Sequence, residues 1–287
     1  MKGKTVIVTG SNSGIGYHTA IKLASRGAQI ILACRNKEKG KHAQMSIIAA
    51  TGNYNILVKQ LDLSSLASIK RFVDDILIED YHLDVLVNNA GVFSVENSYT
   101  EDGLVEGMQI NHYGPFLLTL LLLPKLIRSR SRIVYVSSLI YIFGKLDLNT
   151  INKPASNRLI TYANSKFCNL VFHQELARRL KNSGVVVNSV HPGVIKTNLL
   201  IEANFIFRLF FNILHWFSGR SAEDGAETVV HVSVSKKCEN VTGKYFIDCK
   251  DYYVLPKAKN EILAQKLWSM SAKCVKYNED LNDILNY

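Results

Sequence analysis

Short runs of consecutive apolar residues recur along the chain. They alternate with longer segments in which apolar positions return every three or four residues. The short runs at 4–9, 29–34, 55–60, 84–88, 132–137, 185–190 and 244–247 are rich in Val and Ile and predict β-strands. The segments at 15–26, 37–50, 66–78, 101–127, 162–181, 222–233 and 258–273 carry the helical period. The strands are apolar on both faces, so both faces must be covered; a parallel sheet with helices packed on each side meets that demand. The pattern therefore predicts an α/β chain: a doubly wound, Rossmann-like parallel sheet with helices on both faces. No Pro/Gly/Ser-rich linker and no repeat divides it, and residues 1–287 are expected to form a single domain. Ligands on such sheets gather at the carboxyl ends of the strands, so the residues just after each strand carry the chemical expectation.

The first strand runs into Thr9-Gly10-Ser11-Asn12-Ser13-Gly14-Ile15-Gly16. Glycines let backbone approach a pyrophosphate closely, and a helix opening near Ile15 would offer free N–H groups and a positive dipole end to it. An ordinary strand-to-helix turn is the alternative, but the position in the first βαβ unit favours a dinucleotide. Gly10, Ser11, Asn12, Ser13, Gly14, Ile15 and Gly16 are thus candidate cofactor residues. The second strand ends in Ala33-Cys34-Arg35-Asn36. An acid at this point would take the ribose 2′-hydroxyl of NAD. Arg35 stands there instead, and a guanidinium suits a 2′-phosphate, which predicts NADP(H). The competing reading makes Arg35 a surface cation, mildly unfavourable against the helix dipole that follows.

Apolar residues make up 47% and charged residues 20% of the 287 positions, enough to bury a sizeable core. The net charge of +10 favours anionic cofactors or acidic surfaces, or is simply a solvated basic exterior. No basic stripe interleaved with aromatics argues for nucleic acid. Five scattered cysteines without CxxC spacing suggest neither disulfides nor a metal site, and a reducing, cytoplasmic compartment is expected. Met1 leads straight into a strand, so no secretory signal is expected. The apolar stretches 116–123 and 205–217 are both shorter than the ~20 residues of a membrane span. The first reads as a core helix or a subunit-interface helix of a homodimer.

From these motifs onward, over about 4–245, the chain resembles the short-chain dehydrogenases/reductases. Thr9 to Gly16 matches that family's glycine turn, Asp62-Leu63 its adenine-binding pair, and Asn88-Asn89-Ala90-Gly91 its NNAG element. Asn111 matches its helix asparagine, and Ser138, second of a Ser-Ser pair, its catalytic serine. Tyr162 and Lys166 match YxxxK, and Pro192-Gly193-Val194 with Thr197 the PG element and later threonine. Within the family the chain is most similar to the microsomal, NADP(H)-preferring retinol dehydrogenases. The resemblance implies catalytic Asn111, Ser138, Tyr162 and Lys166. It also implies cofactor contacts from Asp62, Leu63, Asn89, Ala90, Gly91, Tyr162, Lys166, Pro192, Gly193, Val194 and Thr197. The chain departs from these relatives at Tyr17-His18, Pro115 and Ile140-Tyr141, and no counterpart of their N-terminal anchor is expected. Pro115 falls inside a predicted helix and should kink it.

These residue types suit carbonyl reduction, which needs a hydride on carbon and a proton on oxygen. A tyrosine with a pKa of ~10 exchanges protons poorly near neutrality. A lysine four residues on shares its helix face and favours the phenolate. Ser138 can donate to the substrate oxygen, and the resemblance implies that Asn111 holds a water linking Lys166 to solvent. His191 and His112 read as structural rather than catalytic. The resemblance implies that segment 194–220 closes over the substrate, and the aromatic run 205–217 within it points to a lipophilic one such as a retinoid. Flanking Arg208, His215 and Arg220 also fit a peripheral contact with the endoplasmic reticulum membrane. A core helix or an oligomer contact is the plainer reading of that run. A steroid or general carbonyl reductase, a silent NADP(H)-binding regulator and a membrane scaffold are the competing functions. The full set of Tyr162, Lys166, Ser138 and Asn111 favours an enzyme.

Overall fold

The computed structural model describes residues 1–93, 98–193 and 220–278. Its strands are β1 (Thr5–Thr9), β2 (Gln29–Cys34), β3 (Ile56–Gln60), β4 (Val85–Asn88), β5 (Arg132–Val136), β6 (Val186–His191), β7 (Tyr245–Ile247) and β8 (Lys250–Asp251). They form one sheet in the order β3-β2-β1-β4-β5-β6-β7-β8. Every neighbouring pair is parallel except β7 and β8. The short antiparallel β8 departs from the all-parallel expectation; two residues are too few to carry a readable period.

Between the strands run α1 (Gly14–Ala24), α2 (Lys37–Thr51), α3 (Leu66–Leu77), α4 (Glu106–Arg128), α5 (Arg158–Arg179), α6 (Ala222–Val234) and α7 (Glu261–Cys274). Alternate residues of each strand feed opposite cores. Ile7, Ile31, Leu86, Ile133 and Val187 point into the layer built by α3, α4, α5 and α7. Val6, Val8, Ile30, Leu32, Val85, Val87 and Val134 point into the layer built by α1, α2 and α6. This two-sided burial is why the strand segments read as continuous apolar runs.

Two helices differ from the sequence reading in ways that bear on the site. Helix α5 begins at Arg158, where the Asn157 side chain caps it by accepting from Leu159 N–H, so Tyr162 lies inside the helix rather than at its start. Helix α4 begins at Glu106, because Thr100 N–H is already committed to the Leu104 carbonyl at 2.8 Å. The kink expected from Pro115 appears as one π-helical turn, Gln109–Tyr113. Pro115 has no N–H to offer the Asn111 carbonyl four residues back, and the ladder widens there instead.

Helix α4 is the one described helix long and apolar enough to cross a membrane, with a mean hydropathy of 1.2. Of its most apolar 18-residue stretch, 83% is buried within the protein. Phe116 packs against Phe172 and Trp268, with ring centroids 4.7 and 5.5 Å away. The 116–123 stretch is therefore a core helix of this chain.

Candidate active site

A cavity of about 490 Å³ opens at the carboxyl ends of β1, β2 and β4. Its walls include Gly10, Asn12, Ser13, Gly14, Ile15, Arg35, Asp62, Leu63, Asn89, Ala90 and Gly91, so most of the predicted cofactor residues meet in one place. The Thr9 hydroxyl ties the strand ends together. It donates to the Val87 carbonyl and accepts from the Asn89 and Ala90 amides at 3.0 and 2.9 Å. Gly10 has φ +63°, and a Cβ there would sit 3.0 Å from Ala90 Cα. No side chain fits that approach, which keeps the mouth of the cavity clear.

Two predicted cofactor residues also hold the strand ends together. Ser11 is fully buried, with its hydroxyl 3.5 Å from Cys34 Sγ, and it fastens the end of β1 to β2. Gly16 does not line the cavity; a Cβ there would fall 2.4 Å from Asn89 Nδ2 and 2.6 Å from the Gly10 carbonyl. It is a glycine because α1 packs on the strand ends at that point. Gly16→Ala should cost about 1–3 kcal/mol by overpacking and displace Asn89. Thermal unfolding together with a cofactor titration would check this; a Tm and an affinity both equal to wild type would refute it. Asp62 spends one carboxylate oxygen on the Ser64 amide and hydroxyl at 2.9 and 2.6 Å, which shapes the turn after β3. Ala33, Leu61, Val92, Ile110 and Ala222 also line the cavity. Apolar residues at element ends give no sequence signal of this.

The predicted catalytic residues converge next to the cavity wall, where Asn111 and Lys166 meet at Gly91 and Tyr162 and Ser138 adjoin Lys166. Gly91 is the junction: a Cβ there would lie 3.3 Å from both Asn111 Oδ1 and Lys166 Nζ. Lys166 is buried, its ammonium donates to the Val136 carbonyl at 2.9 Å and it sits 5.5 Å from the centre of the Tyr162 ring. Burial holds its pKa down, to about 8. Tyr162 is hydrogen-bonded to Ser138 and stands edge-on to Phe93 with centroids 5.0 Å apart. Burial pushes its phenol well above the ordinary value, and the Ser138 bond opposes this. Desolvation is the largest influence on the phenol in this structure, with the Lys166 ammonium 5.5 Å from the ring centre.

Asn111 Nδ2 donates to the Val92 carbonyl and to Ser165 Oγ at 2.8 and 3.0 Å, while Oδ1 accepts from Val92 N–H at 2.8 Å. Both side-chain N–H groups are spent as a brace between α4, α5 and the loop after β4. A water relay through Asn111 would have to use its main-chain carbonyl. His191 and His112 are buried and held down to about 4 by desolvation, so both are neutral and structural. Pro192 and Gly193 close β6. Gly193 has φ +91°, and a Cβ there would meet Arg220 Cδ at 2.9 Å; Arg220 is itself ion-paired with Asp248. Val194, Thr197 and the aromatic run 205–217 lie outside the described residues.

A parallel sheet with a glycine-lined cleft at its strand ends, leading to a Ser–Tyr–Lys cluster, defines an oxidoreductase acting on CH–OH groups. The chain belongs to the short chain dehydrogenase family, which its residues 4–204 match. It is 41% identical over 285 residues to Retinol dehydrogenase 14 of Mus musculus, covering 94% of this chain and 85% of that protein. It is 43% identical over 273 residues to Retinol dehydrogenase 11 of Homo sapiens, with the same coverage of 94% and 85%. Among solved structures it is similar to an uncharacterized protein from Mycobacterium Paratuberculosis, at 31% identity and a TM-score of 0.75, covering 96% of this chain and 94% of that one. It is also similar to salutaridine reductase from Papaver somniferum, at 25% identity and a TM-score of 0.66, covering 86% and 100%.

Proposed function

We propose that this chain interconverts a lipophilic alcohol and its aldehyde or ketone, retinol and retinal in the first instance, with NADP(H) as cofactor. The observation that carries the reading is the cluster of Ser138, Tyr162 and Lys166, which adjoins through Lys166 the Gly91 wall of a cleft that Arg35 also lines. The relatives named as retinol dehydrogenases support the substrate class.

The residues fit the dinucleotide. The cavity is of the right order for a bound small molecule, and side chains are missing where a pyrophosphate would need the room, at Gly10 and Gly14. Arg35 would hold the 2′-phosphate, Asp62 and Leu63 the adenine end, and Asn89 to Gly91 the ribose side. When bound, the cofactor supplies or accepts the hydride. The chain supplies the rest. Ser138 orients the substrate oxygen with its hydroxyl. Tyr162, kept protonated by burial, donates the proton to that oxygen during reduction. Lys166 lies behind Tyr162 as the cation that steadies the phenol as it loses its proton.

The test is a panel of retinal, a steroid ketone and a short aldehyde, followed by NADPH absorbance with the purified protein. Turnover of retinal with NADPH at a kcat/KM at least about tenfold above that of the short aldehyde is expected, since each buried apolar group of the longer substrate adds to binding. Equal efficiency on all three would reduce the reading to a general carbonyl reductase. No turnover on any of them would favour a cofactor-binding regulator.

A further inference from the structure

Behind Asn111 lies a chain of buried polar groups that the sequence did not announce. Asn169 donates from Nδ2 to the Asn111 main-chain carbonyl at 2.7 Å. Its Oδ1 lies 3.2 Å from His112 Nδ1, and His112 Nε2 lies 2.9 Å from Ser271 Oγ on α7. All four residues are almost fully buried. The direction of every bond follows from chemistry. A carbonyl only accepts, so the Asn169 atom facing it is the NH₂ group. That turns the Asn169 oxygen toward His112, whose Nδ1 must therefore carry the proton. A ring this deeply desolvated is neutral, so Nε2 offers a lone pair and the Ser271 hydroxyl donates to it. The run is Ser271 to His112 to Asn169 to the Asn111 carbonyl, with each link polarising the next.

The reason for this chain is Pro115. In a regular helix the N–H at that position would satisfy the Asn111 carbonyl, and proline has none. The buried carbonyl, inside the π turn Gln109–Tyr113, therefore lacks its ordinary partner four residues on. Asn169 fills the gap from the neighbouring helix, three residues beyond Lys166. The same turn presents the Asn111 side chain to Val92 and Ser165 and sets Oδ1 beside Lys166 Nζ at Gly91.

We propose that Asn169, held in orientation by His112 and Ser271, is a positioning residue for the reaction. It satisfies the Asn111 carbonyl, fixes the π turn, and so keeps the Asn111 brace and the buried Lys166 in register, with α7 as the far anchor. The proposal rests on the Tyr162-centred reading of the site given above. Around Lys166 Nζ stand Tyr162 on its own helix, Asn111 from α4 and the Val136 carbonyl from β5; among these Tyr162 is the other titratable group. A loosened turn would let water reach the ammonium and return its pKa toward the ordinary lysine value of ~10.4.

The variants are Asn169→Leu, close in volume but unable to donate, and His112→Phe. The Phe ring can keep the contacts that His112 makes with Phe116 and Phe172 but cannot orient Asn169. Asn169→Leu should lower kcat about tenfold, the effect of losing one buried hydrogen bond. It should also move the apparent pKa of the kcat profile upward, with the KM for NADPH within about twofold of wild type. His112→Phe should shift the profile in the same direction by less. Should Asn169→Leu not fold, His112→Phe decides. A wild-type pH profile in His112→Phe, or in a folded Asn169→Leu, would overturn the proposal even where activity fell in step with folded protein. Tyr162→Phe, run in parallel, separates the two readings. Wild-type turnover there would sink the assignment of the site, whereas a dead Tyr162→Phe beside unshifted Asn169 and His112 variants would sink the positioning role alone.

Discussion

Replacing Tyr162 with Phe is expected to lower turnover by about 10²–10⁴-fold, the usual contribution of a positioned proton donor, while the protein stays folded and binds cofactor. The ring is kept, so its edge contact with Phe93 survives, and only the hydroxyl bonded to Ser138 is lost. The sign of the pH dependence follows from the same burial. Desolvation raises the Tyr162 pKa above its ordinary value, so the phenol is protonated through neutral and mildly alkaline pH. Reduction consumes that proton and should hold its rate until the Lys166 ammonium, held down to about 8, loses its charge. Oxidation needs the phenolate and should quicken as pH rises. Steady-state rates in both directions between pH 6 and 10, with cofactor binding measured by fluorescence, would check both claims. A Tyr162→Phe protein that kept near wild-type reduction rates would show that the proton comes from elsewhere.

Changing Arg35 to Asp is expected to reverse the cofactor preference. Arg35 is exposed, lines the cleft and stands just beyond the end of β2, where a ribose 2′ substituent would arrive. Losing one charge-assisted partner is worth roughly 1.5–3 kcal/mol. The added carboxylate repels a phosphate and accepts from a free 2′-hydroxyl, so two effects push the same way. The ratio of kcat/KM for NADPH over NADH should therefore fall by roughly 10²–10³-fold. The measurement is that ratio in wild type and variant at a fixed substrate concentration. A wild-type ratio near unity would remove the basis of the preference.

Much of this protein was open to reading along the chain because each feature has a local cause. Strands buried on both faces must be apolar throughout, so β1, β2 and β5 appeared with their limits off by a residue at most. Backbone that must approach another group closely must be glycine, which marked Gly10 and, through the PG element, Gly193. The four-residue helical spacing put Tyr162 and Lys166 on one face before any coordinates. What tertiary structure alone decided are the contacts between elements distant in sequence. The Ser11 side chain is drawn inward to Cys34, because the sheet sets β1 beside β2. Nothing local announces that the Asn111 amide is spent on Val92 and Ser165, brought to it by the packing of α4 against α5. His112 reads from the sequence as structural, and Asn169 and Ser271 fall in no motif. Only the packing of three helices around a proline-interrupted turn joins them into one hydrogen-bonded run, because an unsatisfied buried carbonyl takes whichever donor the fold delivers to it.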